Sequence, residues 1–205
     1  MPYLLSLDLS IACTGYCVFD IETNKLIEHG IVPVKKATKK KFKGLYNIGV
    51  EEEEYRDFKC DQEIYDYISN ALLTKLQDYV NDIEWVVREG YGFGGASLSR
   101  LAEQSGVCTH KLWQHFPLPF QRLITVAPPS VKKIACGKGK ATKKEVMEGV
   151  SERFGVAVDY WYSNDDCDAF VIGKIGLTVV NNNCRTKYEK ELRQKIIKNN
   201  NLDLE

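Results

Sequence analysis

Five carboxylates stand apart from the surface acids because of where they fall in the sequence. Asp8 interrupts the apolar run YLLSLDLSIACTGYCVF at residues 3–19, Glu89 closes WVVRE at 85–89, and Asp165, Asp166 and Asp168 crowd into NDDCDAFVIG at 164–173. A carboxylate in an apolar strand is costly to bury unless it is paired, hydrogen-bonded or bound to a cation. Asp8 therefore has two readings: an acid at a strand end bonded to turn amides, or an acid held by a cation. Asp165 and Asp168 are three residues apart and share one helix face, which Ile172 and Gly176 continue toward the sheet, whereas Asp166 points away from it. Ser163 and Asp166 have the spacing of a capping box, and acids in a first helical turn suit the helix dipole. Capping accounts for Asp166 and in part for Asp165, but not for Asp168 on the buried side. Carboxylates that converge in an apolar setting repel one another unless a cation joins them. Hard oxygen ligands from separate elements are how Mg²⁺ is held, and two such ions about 3.5–4 Å apart serve phosphodiester cleavage.

These acids need elements to position them. Residues 3–9 and 15–20 read as two hairpin strands, with a third strand over 26–34. Thr14-Gly15-Tyr16 reads as turn chemistry, with glycine permitting positive φ. Apolar residues at helical spacing predict a helix over 61–80, then a short strand ending at Glu89. The glycines at 90, 92, 94 and 95 exclude a regular element there, and a second helix follows over 97–116. A strand over 123–126 is stopped by Pro128-Pro129. A lysine-rich loop, a helix over 143–154 and a last helix from about Asp165 to Val180 complete the pattern. Strands first and then strands alternating with helices predict an α/β fold with a mixed sheet. The division expected is one folded domain over 1–181 and a polar, asparagine-rich tail over 182–205.

Bulk properties narrow the class. With 205 residues, 44% hydrophobic and 27% charged, the composition is that of an ordinary globular domain. The charges balance, 28 basic against 28 acidic, so any nucleic-acid surface must be local. Two local basic stretches exist. KKATKKKFKG at 35–44, followed by Glu51 to Glu54, is a solvated loop or a phosphate contact. Lys132, Lys133, Lys138, Lys140, Lys143 and Lys144 fall within thirteen residues, the pattern of a solvated loop or of one that neutralises a phosphate backbone. Seven cysteines without a Cys-x-x-Cys pair, and three histidines off any zinc spacing, exclude a disulfide framework and a zinc site. Free thiols point to a reducing cytoplasm. Neither a signal peptide nor a membrane span is expected.

Four segments resemble the RuvC-type Holliday junction resolvases, in family order over residues 3–176. LDLSIACTGYCVF is similar to the first strand-turn-strand of that family, VVREGYGFGGASLSRLAEQSGV to its second acidic strand and central helix, SVKKIACGKGKATKKEV to its basic stretch, and DDCDAFVIG to its closing helix. The resemblance implies an RNase H-like five-stranded mixed sheet flanked by helices. It also implies dependence on two Mg²⁺ ions, with Mn²⁺ substituting, and paired symmetric nicking of four-way DNA junctions by a homodimer in recombination and repair. Carried over residue by residue, it puts metal ligands at Asp8, Glu89, Asp165 and Asp168, with Asp8 bridging both ions and Asp166 as an alternative to Asp165. Lys143 joins the catalytic set, and Lys132 matches a second basic position near the scissile phosphate.

The chain departs from the family at three places. The aromatic expected three residues after the glutamate is Gly92 here, flanked by Tyr91 and Phe93, either of which could stack on an unpaired base or pack as an ordinary lid. The lysine-rich insertion and the long C-terminus are consistent with a divergent member such as a phage would encode. Tyr160-Trp161-Tyr162 reads as core packing. Two other classes compete: an actin-like ATPase lobe, disfavoured because no second phosphate loop exists, and a non-catalytic branched-DNA-binding protein, disfavoured because all four acids are present. Junction selectivity against flaps and forks is left open.

Overall fold

Alternation along the first apolar run decides which way Asp8 points. In β1, Tyr3–Asp8, Leu5 and Leu7 enter one core cluster and Leu4 the other, so Ser6 and Asp8 lie on the face of Leu4. The computed structural model describes residues 1–34, 58–91, 98–116 and 122–204. The KKATKKKFKG insertion, Glu51–Glu54, Phe93 and the glycines at 92, 94 and 95 lie outside the described residues.

Around β1 the sheet has five strands in the order β3-β2-β1-β4-β5. β2 (Cys13–Asp20) runs antiparallel to β1, and β3 (Leu26–Pro33) antiparallel to β2. β4 (Ile83–Glu89) runs parallel to β1, and β5 (Leu123–Val126) parallel to β4. This is the mixed α/β sheet that the sequence predicts. On one side, α1 (Asp61–Lys75) and α2 (Leu98–His115) bury Ile68, Leu72, Cys108 and Leu112 against Leu5, Leu7 and Val86. On the other, α3 (Pro128–Cys136), α4 (Lys143–Phe154), α5 (Asn164–Val180) and α6 (Lys187–Asn200) join a core with Leu4, Phe19 and Val87.

α5 comes unusually close to the sheet because it carries glycine where strands would collide. A Cβ on Gly173 would meet Phe19 and Ser6, and one on Gly176 would meet Val87 and Leu4. The buried Ser6 hydroxyl donates to the Ala169 carbonyl at 2.7 Å, fixing the helix along β1.

Three expectations need correction. The lysine-rich stretch after β5 is not all loop: Pro128 and Pro129 occupy the first helical positions of α3, where a missing N–H is harmless. Lys132 and Lys133 therefore sit on a helix. The segment expected as a polar tail forms α6, started by a Thr186–Glu189 capping box, and Leu192, Ile196 and Leu202 are buried in the main core. Its Asn200 side chain accepts from Thr125 N at 2.8 Å and donates to Thr125 O at 3.2 Å, occupying the outer edge of β5. The first helix stops at Lys75 rather than reaching Val80, and a 3₁₀ turn over Gln77–Tyr79 follows. All seven cysteines are free thiols. Among the described residues no helix is long and apolar enough to cross a membrane.

Candidate functional site

Parallel pairing brings the first two acids to one end of the sheet. Asp8 ends β1 and Glu89 ends β4, and the register opposes Leu7 to Arg88. Glu89 alternates with Val87 and Trp85, so it shares the α5 face with Asp8. The N-terminus of α5 lies over this same end, and Gly15 explains how. Gly15 is the cross-strand partner of Asp8, and a Cβ there would overlap the backbone carbonyl of Asp165. Gly15 is thus an extended strand residue needed for close approach, not a turn residue with positive φ; among the described residues the positive-φ glycines are Gly137 and Gly155. Gly15→Ala should lift the first turn of α5, lowering stability by about 1–3 kcal/mol and any activity of the acid cluster by about 10²-fold through misplacement. Denaturant melts and a rate measurement on the same preparation check both.

Electrostatics tie the four carboxylates together. Burial holds the Asp8 carboxyl well above the ordinary carboxylate range, reinforced by Asp168, Glu89 and Asp165 in that order and opposed by Lys143. Burial followed by Asp168 pushes Glu89 up to about 7, against Lys132 and Lys143. Asp168 rises to about 6, chiefly by burial, with Lys143 opposing and Asp165 adding to the rise. Lys143 Nζ stands 3.3 Å from Asp165 Oδ1. Its own pKa is raised: burial would lower it, but Asp165, Asp168 and Asp8 outweigh burial. All four acids keep some solvent exposure, so the cluster opens to the outside.

Asp166 is excluded from this group. It is fully buried, and its oxygens accept from Tyr162 N at 3.0 Å and Ser163 N at 2.8 Å and meet His29 Nδ1 at 2.8 Å. The capping box expected from Ser163 and Asp166 is present. Asp165, on the side facing Lys143, is the one of the pair that faces the other acids.

The remaining basic and aromatic candidates divide by position. Lys132 and Lys143 are close enough to act on Glu89 and Asp168. Lys133 Nζ lies 3.9 Å from the Tyr188 ring centre, toward α6. Lys138 pairs with Glu145 at 3.5 Å and Lys144 with Glu148 at 3.6 Å; Lys140 is exposed. Tyr91 is 38% exposed beside Glu89, with the Arg88 guanidinium 5.4 Å from its ring centre. Phe93 lies outside the described residues.

Sequence reasoning missed two supports of the site. Gln104 of α2 is fully buried and donates to Ser10 O at 3.2 Å and Thr14 Oγ1 at 3.3 Å, tying the turn after Asp8 to the opposite helix layer. An amide on the apolar stripe of α2 was the available signal. His29, on β3, carried none, because its partner is 137 residues away.

The cluster suits a hard divalent cation by its donor chemistry: four carboxylates on three elements, with the charged forms of Asp8, Glu89 and Asp168 disfavoured by burial and by neighbouring carboxylates. Among the described residues no three His, Cys, Asp or Glu side chains already converge on one cation position.

No protein-family profile and no curated protein matches the chain in sequence. Solved structures do match its fold. The structure of *Thermus thermophilus* RuvC in complex with a Holliday junction substrate is 16% identical, covers 87% of this chain and 94% of its own, and superposes with a TM-score of 0.57. A second structure of *Thermus thermophilus* RuvC is also 16% identical, covers 86% and 94%, and gives 0.55. With strand order, helix layers and acid-bearing strand ends in agreement with the four sequence segments, the chain has the RNase H-like fold in the form that RuvC takes.

Proposed function

We propose that this protein is a Mg²⁺-dependent endodeoxyribonuclease that resolves four-way DNA junctions by paired symmetric nicks, acting as a homodimer in the cytoplasm. The observation that carries the reading is the group of Asp8, Glu89, Asp165 and Asp168 at one end of the sheet, largely buried but reaching solvent, and edged by Lys132 and Lys143. The fold shared with RuvC, whose structure was solved with a Holliday junction, supports DNA as the substrate. Those four carboxylates would hold the divalent ions, which when bound supply Lewis-acid stabilisation and a nucleophilic water. Lys143 beside Asp165, and Lys132 toward Glu89, present positive charge where a phosphodiester would lie. Paired nicks require two such sites related by a two-fold axis, which a homodimer provides.

The direct test is cleavage of a labelled synthetic four-way junction with Mg²⁺, Mn²⁺ or EDTA, beside flap, fork and linear duplex. Symmetric nicks abolished by EDTA are expected. Binding without cleavage under any metal would overturn the nuclease reading in favour of a branched-DNA-binding protein. Equal cutting of flaps would broaden the substrate to branched DNA.

Lys132→Ala and Lys143→Ala should each reduce the slope of log affinity against log salt by about 1, as expected for one lost phosphate contact. Lys133→Ala, whose ammonium lies over the Tyr188 ring toward α6 and away from the acids, should change the slope less. Junction-binding titrations at several salt concentrations separate the two behaviours.

A further inference from the structure

The cleft acids are not the only charged groups at the start of α5. On its far side, the fully buried Asp166 meets His29 Nδ1 at 2.8 Å, across the boundary between the edge strand β3 and the helix. A carboxylate oxygen accepts, so Nδ1 carries the proton in this bond. The imidazole is boxed in by three consecutive aromatics: Tyr160 at 4.6 Å and Tyr162 at 5.1 Å between ring centres, both tilted near parallel, and Trp161 at 5.2 Å near perpendicular. Only 11% of the His29 side chain is exposed.

Asp166 in turn holds the backbone N–H groups of Tyr162 and Ser163, the residues that enter α5. Its neighbours Asp165 and Asp168 face the opposite side, toward Lys143, Asp8 and Glu89. Rotation of the first turn of α5 about its axis would therefore move both cleft acids together. Ser163 and the backbone amides can hold Asp166 locally, but they belong to the same turn and would rotate with it. Two contacts from β2 seat the backbone of this turn, the Cys17 thiol donating to the Asp166 carbonyl at 3.5 Å and Gly15 lying close under Asp165; His29 is the contact that refers the Asp166 side chain to the sheet, because β3 is paired through β2 to β1.

We propose that His29 is a positioning residue: through Asp166 it fixes the rotation of the first turn of α5, and so aims Asp165 and Asp168 at the cation site formed with Asp8 and Glu89. The rotational lock stands on the contacts of His29, added to the backbone contacts from β2; its effect on cation binding rests on the nuclease reading above.

Two measurements on the full-length protein test it. In metal-free protein, amide hydrogen exchange should accelerate in His29→Ala at Tyr162 and Ser163 and through the first turn of α5, while α1, α2 and α6 keep wild-type protection. By calorimetric titration with Mn²⁺ alone, His29→Ala should bind about tenfold more weakly, the scale seen when a group supporting a metal ligand is removed. His29→Asn, which keeps a side-chain N–H near the Nδ1 position, should recover most of both losses. Unchanged exchange at the start of α5 in His29→Ala would overturn the lock. So would uniform loss of protection across all helices, or equal impairment in His29→Asn, since either would reduce His29 to a packing residue. If wild-type protein bound no Mn²⁺ and cut no junction, the nuclease reading would fail while the exchange experiment still decided the lock.

Discussion

Asp8→Asn is expected to abolish junction cleavage and, in the same protein without metal, to raise the melting temperature. The two effects have one cause. Asp8 is disfavoured as an anion by burial and by three neighbouring carboxylates, with only Lys143 opposing. At neutral pH the folded protein carries this penalty, either as repulsion or as the cost of holding a proton, and the isosteric amide removes it. A protein of this size gains about 2–4 °C in melting temperature for each kcal/mol relieved. Cleavage should fall by about 10³-fold or more, since a metal ligand supports several kcal/mol of transition-state stabilisation. Junction affinity measured without metal should hold or rise, because the amide cannot present a negative charge to the phosphates. A variant that melted lower than wild type without metal would mean that Asp8 is satisfied by local hydrogen bonds, and the cation reading of this residue would fall with it.

The trade of stability for a charged cluster also explains which parts of the molecule were legible in its sequence. Asp8 was visible because an acid breaks an apolar alternation, and Glu89 because it ends a strand. Asp168 was visible because capping could not account for it on the buried side of a helix. Each is a local conflict between residue type and element, and such conflicts are readable one segment at a time. Gly15 was seen but misread. A glycine in a short apolar stretch fits a turn, and only the packing of Asp165 from 150 residues downstream shows that it is needed for approach. The helix α3 was read as loop because two prolines ended a strand; the same two residues begin a helix when nothing upstream needs their N–H groups. α6 was read as tail because its polar composition outweighs the three apolar residues that dock it. His29 could not be found at all, since its role lies in a contact between elements that no local pattern encodes, and Gln104 showed only as an amide on an apolar helix stripe.

The metal-free protein should lose stability as pH rises from about 4 to about 7, the reverse of the usual behaviour of salt-bridged acids. Glu89 moves from an ordinary 4.5 to about 7 and Asp168 from 3.8 to about 6. Between those limits the folded protein keeps protons that the unfolded chain has released. Stability then has a negative slope with pH: the contribution is full below the unfolded values and is lost as pH passes the folded ones. With both groups partly screened by solvent, the loss is on the order of a few kcal/mol. Glu89→Gln should flatten the upper part of this curve, and a wild-type curve no steeper than that of the variant would contradict the coupling. Divalent cations should cancel the decline, because they compete with the same protons. Cation binding must then release protons, more at pH 6 than at pH 8, where Glu89 and Asp168 are already ionised. Mn²⁺ titrations in buffers of different ionisation enthalpy measure that release directly. Equal release at both pH values would place the cation elsewhere, whereas a release that falls as Glu89 ionises would put cation and protons in competition for the same carboxylates.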